Sequence, residues 1–97
     1  MAAASTPVDY LSNPKPEYPE MARQQEQEGM VVLRVLVTKD GSPAEIKIRK
    51  SSGFRTLDRA AVAGVKHWSF TPARQNQQSV DAWMDIPIRF RLSKEGD

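Results

Sequence analysis

Between Met30 and Thr38 apolar residues recur with a period of two. Val31, Leu33, Val35 and Val37 fall on one face, and Met30, Val32, Arg34, Leu36 and Thr38 on the other. The alternation predicts a strand, and a second face that is itself half apolar predicts a central one with neighbours on both sides. Lys39-Asp40-Gly41-Ser42 follows, whose Asp-Gly pair suits a tight hairpin needing positive φ. The returning arm alternates as well, with Ala44, Ile46 and Ile48 inward and Glu45, Lys47 and Arg49 outward, until Ser51-Ser52-Gly53 breaks it. The longest alternation comes last. From Val80 onward Val80, Ala82, Met84, Ile86, Ile88, Phe90 and Leu92 form an inward set, against Asp81, Trp83, Asp85, Pro87, Arg89 and Arg91 outward. Pro87 has no N–H for a ladder, so this strand is expected at a sheet edge, with the prolyl side facing away from its neighbour.

Two stretches carry a helical period instead. Pro19 suits the first turn of a short helix running through Glu20, Met21, Ala22 and Arg23 towards Gly29, with a thin apolar face of Tyr18, Met21 and Ala22. Thr56 is a candidate N-cap for a second helix, on which Leu57, Ala61, Val65 and Trp68 share one stripe and Asp58 lies near the positive end of the dipole. Small residues at Ala60, Ala61, Ala63 and Gly64 allow its backbone to approach another layer closely. Ser69 to Gln78 reads as a polar connection around Pro72. These elements predict an α+β, two-layer domain: a three-stranded antiparallel sheet, made of a hairpin plus a long C-terminal edge strand, with two helices packed on one face.

The 97 residues suffice for one such core and not for two. Residues 1–17 read as a flexible, Pro-containing tail, 18–92 as the folded domain, and 93–97 as a disordered end. Apolar residues at 39% and charged residues at 27% match ordinary globular usage. No apolar run approaches the roughly 20 residues that cross a bilayer, and the Met1-Ala2-Ala3-Ala4 start has no charged n-region or apolar h-region of an export signal. Fourteen basic against twelve acidic residues give only +2, too mild a bias to name a partner. The chain has no cysteine, which removes disulfides and thiol chemistry and leaves the compartment open.

Candidate chemistry is sparse. The single histidine, His67, sits in the last turn of the second helix, where a cation is favourable, so that role outweighs a catalytic one. Ser51-Ser52-Gly53 lacks the glycine pattern and lysine of a phosphate loop and reads as a turn. Asp81 and Asp85 share a face with Trp83, Arg89 and Arg91, with no apolar pocket to raise a pKa. No cluster has metal-ligand spacing, so neither a metal nor a cofactor is expected. Arg34, Lys47, Arg49, Arg89 and Arg91 on the outer face raise the question of RNA, but Trp83 is the one aromatic placed to stack a base, and Glu45, Asp81 and Asp85 share that face. No nucleic-acid partner is expected.

The motifs then fall into one order: Tyr18-Pro19, Glu28-Gly29 opening a strand, Asp40-Gly41 in the hairpin, Ser51-Ser52-Gly53, Leu57-Asp58 with Ala60-Ala61, Trp68-Ser69-Phe70 with Pro72-Ala73, and Ile86-Pro87-Ile88 before Phe90. Over roughly residues 16 to 92 this resembles the TonB C-terminal domain family. The resemblance implies the same sheet-and-helix fold, in the periplasm of a Gram-negative bacterium, as part of a protein anchored in the inner membrane. Neither the anchoring helix nor the full proline-rich spacer is in this chain. The tail is expected to be the spacer's end, and the Met-Ala-Ala-Ala start to mark an excised domain.

By resemblance, such a domain captures the Ton box of outer-membrane transporters by adding that peptide as a strand to its final strand. Carried onto this sequence, the receiving edge is Asp85 to Leu92. Ile86, Ile88, Phe90 and Leu92 face the core, while the backbone of Asp85, Pro87, Arg89 and Arg91 pairs with the peptide. A Pro87 facing the peptide deletes one ladder bond, so the register should avoid it or binding should be weaker. The stretch Pro16, Tyr18 and Pro19 is a secondary contact. The resemblance further implies a proton-driven ExbB–ExbD motor that pulls through the spacer, so that iron chelates, haem or cobalamin can enter, with no enzyme chemistry. The same edge permits two copies to pair as a homodimer. A TolA-type periplasmic module shares a similar plan, but Tyr18-Pro19 and Trp68-x-Phe70-x-Pro72 argue against it, and an RNA-binding sheet is the more distant alternative.

Overall fold

A computed structural model describes residues 13–92; the outer part of the tail, residues 1–12, and the end at 93–97 lie outside the described residues. In chain order the elements are α1 (Glu20–Gln24), β1 (Gly29–Val37), β2 (Pro43–Lys50), α2 (Arg55–Val65), β3 (Ala73–Gln75), β4 (Gln78–Val80) and β5 (Ala82–Phe90). The main sheet is antiparallel in the order β2-β1-β5, so the half-apolar first strand is central, as its pattern predicts. β1 and β5 pair without interruption from Gly29↔Phe90 to Val37↔Ala82, which aligns Val31 with Ile88, Leu33 with Ile86 and Val35 with Met84 on one face. These residues meet Leu57, Ala61 and Val65 from α2, and Trp68 just beyond its end, in the core. The helical stripe read from the sequence is the stripe that is buried.

The hairpin between β1 and β2 differs from a two-residue turn. Gly41 N–H donates to Thr38 O at 2.8 Å and Thr38 N–H to Ser42 O at 2.9 Å, and of these turn residues Gly41 alone has positive φ. This is the three-residue loop in which an ordinary turn is followed by one left-handed residue. Gly41 is required twice over: its φ is +86°, and a Cβ there would lie 2.4 Å from Phe70 O.

β2 departs most from expectation. Ile48, assigned inward, is 45% exposed, and Ala44 is exposed too. Both belong to the outermost strand on that side, which the helical layer leaves partly uncovered, and register shifts interrupt the pairing at both ends of β2. α1 is also shorter than expected. Gln27 N–H reaches Ala22 O and Glu26 N–H reaches Arg23 O, with Glu26 at φ 54°, so the helix closes several residues before Gly29.

α2 starts one residue before the proposed Thr56 cap, with Phe54 as N-cap and no side-chain cap bond. Asp58 instead turns back to organise the preceding loop. Its carboxylate accepts Ser51 Oγ at 2.5 Å, Ser52 N–H at 2.9 Å and Ser52 Oγ at 2.8 Å. Burial opposes ionisation, but these donors outweigh it and hold the carboxyl below its usual range. A depressed folded pKa stabilises above the unfolded value, about 3.9, and that contribution disappears as pH falls through the folded value. Asp58→Asn is therefore expected to cost about 1.5–3 kcal/mol at neutral pH. It should also flatten the loss of stability on acidification below about pH 5, measured by denaturant midpoints across pH. A pH profile identical to the wild type would contradict this role.

The expected polar connection contains a small hairpin. β3 pairs with β4 as Ala73↔Val80, Arg74↔Ser79 and Gln75↔Gln78, across a turn with φ 50° at Asn76 and 66° at Gln77. Val80 thus belongs to this hairpin and not to β5. Asn tolerates such φ values; glutamine does so at a cost of about 1 kcal/mol or more. Gln77→Gly removes that strain against about 0.5–1 kcal/mol of added chain entropy. The expected result is a small rise in melting temperature, and a fall would show that the turn is not strained.

Candidate functional site

β5 is the last strand of the sheet, so one side of it faces β1 and the other has no strand neighbour among the described residues. Met84, Ile86, Ile88 and Phe90 are buried, and Asp85, Pro87 and Arg89 are exposed between them, as the period-two reading requires. Arg91 and Leu92 lie just beyond the strand's end, Arg91 exposed and Leu92 half-buried. Leu92 N–H donates to Glu28 Oε2 at 2.9 Å, on the β1 side. With backbone direction alternating along a strand, the even-numbered amides share that direction, and those of Asp85, Arg89 and Arg91 point to the open side. Pro87 belongs to the open-side set, and the ladder to β1 runs through Val32↔Pro87 without a register shift.

The segment before α1 reaches this edge. Tyr18 packs edge-on against Phe90, with ring centroids 5.3 Å apart and planes at 80°, and its hydroxyl donates to Gln27 O. Arg23 lies over the Tyr18 ring, 5.6 Å from its centroid. Burial pushes the phenol's pKa up, the Glu28 carboxylate adds to this and Arg23 offsets part of it, so the hydroxyl stays protonated and able to donate. A cleft of about 410 Å³ is lined by Lys15, Pro16, Tyr18, Arg89, Phe90 and Arg91. Two stretches some seventy positions apart in the sequence, each a candidate contact by itself, therefore share one cavity. Pro19 lies elsewhere, as the N-cap of α1 and in a groove against Ala60, Ala63 and Gly64 of α2. Sequence reasoning missed Lys15 and Met30, which with Pro87 and Arg89 line an adjoining cavity of about 620 Å³. Met30 was visible as an apolar residue on the outer face, but nothing in the pattern placed Lys15 there.

The opposite edge is built differently. β2 begins at Pro43, its register is broken at both ends, and Lys47, Arg49 and Lys50 line it. These are the features that deter strand addition. On the outer face Arg34 and Lys47 lie over Trp83 at 5.7 and 5.2 Å, and Arg49 pairs with Asp85 at 3.3 Å. The ring that was a candidate for stacking a base is already flanked by the protein's own cations. Among the described residues no group of three or more metal-ligating side chains converges, and no helix is long and apolar enough to cross a membrane.

Residues 14–92 match the family described as Gram-negative bacterial TonB protein C-terminal. The chain belongs to that TonB C-terminal family. Protein tonB2 of Pseudomonas aeruginosa is 49% identical over 89 residues, which are 92% of this chain and 33% of that protein. Protein TonB of Neisseria gonorrhoeae is 36% identical over 84 residues, 84% of this chain and 27% of that protein. The chain thus spans about a third or less of the length of these relatives. The solution structure of the Pseudomonas aeruginosa TonB C-terminal domain superimposes with a TM-score of 0.69 at 28% identity, covering 82% of this chain and 81% of that one. The α+β fold read from the sequence is therefore the fold of the TonB C-terminal family, and β5 with its Tyr18 cleft is the last strand of a TonB-type sheet.

Proposed function

We propose that this domain works in the periplasm as the gripping end of a TonB-type energy transducer, capturing the Ton box of outer-membrane transporters by strand addition to β5. The observation that carries this reading is the long edge of β5, its row of donors broken at Pro87, joined to the Tyr18 segment in one cleft, opposite a β2 edge whose register is broken at both ends and which cations line. The backbone of Asp85, Arg89 and Arg91 supplies the pairing, and the cleft by Pro16, Tyr18 and Phe90 takes side chains. Force developed by an ExbB–ExbD motor at the inner membrane reaches the domain through a spacer and passes to the captured strand. A strand pulled along its axis loads several ladder bonds together, so the grip needs no bond chemistry. The cargo class is iron chelates, haem or cobalamin, and pairing of two β5 edges into a homodimer competes with peptide capture.

Anisotropy of a labelled Ton box peptide tests the reading, with a scrambled peptide and a short oligonucleotide as controls. Saturable binding of the authentic peptide that changes little between low and high salt is expected. Preference for the oligonucleotide with a steep salt dependence would overturn it.

A further inference from the structure

Asn13 opens the described chain, yet it is only 5% exposed. Its side-chain amide is paired on both sides with a single residue far along the sequence: Nδ2 donates to Ser69 O and Oδ1 accepts from Ser69 N–H, each at 2.9 Å. Beside it, Trp68 Nε1–H donates to Pro14 O at 2.7 Å. Pro16 then rests on Gly64, where even a methyl group would come within 2.8 Å of the proline. The segment ends at Tyr18, whose ring meets Phe90 of β5. Its start is thus fastened to the stretch just after α2, while Lys15, Pro16 and Tyr18 form one wall of the cleft whose other wall is Arg89, Phe90 and Arg91.

We propose that residues 13–18 are a latched wall of the peptide cleft, held shut by Asn13 and Trp68 as positioning residues, which tension from the N-terminal side peels open, weakening the grip. The proposal rests on the capture reading above. Among the described residues, a pull from the N-terminal side meets the Asn13–Ser69 pair first, then the Trp68–Pro14 bond, then the Pro16–Gly64 contact. Bonds loaded one after another yield at lower force than a ladder whose bonds share the load. The wall therefore opens before β1 or β5 is disturbed, releasing about 20 Å of extended chain. The domain holds its peptide firmly when slack and lets go more readily under sustained load.

Because the chain has no cysteine, Ala4→Cys and Lys66→Cys provide handles on either side of the latch for optical tweezers. The expected trace shows a first extension of about 20 Å ahead of the main unfolding event. Asn13→Ala should lower the force of that step and leave the later event unchanged, whereas Trp68→Phe, which also opens a gap in the core, should lower both. Without load, the same two variants should bind a Ton box peptide about five- to tenfold more weakly through faster dissociation, the equivalent of one net hydrogen bond and its ordering. Ala61→Gly, which weakens α2 away from the cleft, should lower the melting temperature and leave affinity unchanged. Unfolding in one event without a prior step overturns the latch, and so does an Ala61→Gly variant that loses peptide as readily as Asn13→Ala. The tweezers measurement contains no peptide, so a wild-type chain that binds none counts against the capture reading, whereas a missing step counts against the latch itself.

Discussion

Ile88→Lys is expected to abolish folding. Ile88 is 3% exposed, lies in register with Val31 within the longest ladder, and joins a core with Leu33, Ile86 and Leu57. A lysine there loses the packing of a full aliphatic side chain, a cost of about 2–5 kcal/mol, and must also bury or deprotonate its ammonium. A domain of this size has about 5–15 kcal/mol of total stability, so the two terms together consume most of it. Far-ultraviolet circular dichroism and the dispersion of amide resonances read the result directly. A folded Ile88→Lys domain would show that β5 is not seated as described.

The adjacent position should give the opposite phenotype. Arg89 is exposed, its neighbour across the ladder is Met30, and its amide belongs to the set that points away from β1. Arg89→Pro deletes a donor on the open side and places a ring where an incoming strand would lie, without removing a bond to β1. The fold should persist with a melting temperature near that of the wild type, while peptide affinity falls about tenfold from a lost bond and the accompanying clash. Loss of folding in both variants would refute the assigned facing of the strand. Unchanged affinity in a folded Arg89→Pro domain would move the peptide to another surface.

These two substitutions sit side by side and differ because period-two alternation separates core from edge, and that alternation is the most legible feature of the chain. It locates β1 and β5 and predicts their order in the sheet, because both strands are long and their inward positions are uniformly apolar. It misplaces Ile48 for a tertiary reason: Ile48 obeys the alternation, but it lies on the outermost strand, where the helical layer does not fully cover it. The β3–β4 hairpin was invisible because its strands are three residues long and mostly polar, and Gln77 occupies a position where glycine would have signalled the turn. Of the candidate site, the edge was legible from Pro87 and the inward apolar set. The meeting of Lys15, Pro16 and Tyr18 with Arg89, Phe90 and Arg91 was not, because it depends on how the segment before α1 crosses the fold. Asn13 shows the same limit. Its partner, Ser69, is 56 positions away, and no local pattern distinguishes an asparagine that caps a distant backbone from one in a solvated tail.

An amide-resolved NMR titration of the labelled domain with a Ton box peptide tests strand addition at β5 most directly, with cross-strand contacts measured in the saturated complex. The expected result is a set of shifts running through Asp85, Ile86, Ile88, Arg89, Phe90, Arg91 and Leu92 and extending to Tyr18, with inter-chain contacts at the backbone of Asp85, Arg89 and Arg91. Shifts that follow the β2 edge, or that appear only with an oligonucleotide at Arg34, Lys47 and Arg49, would contradict it.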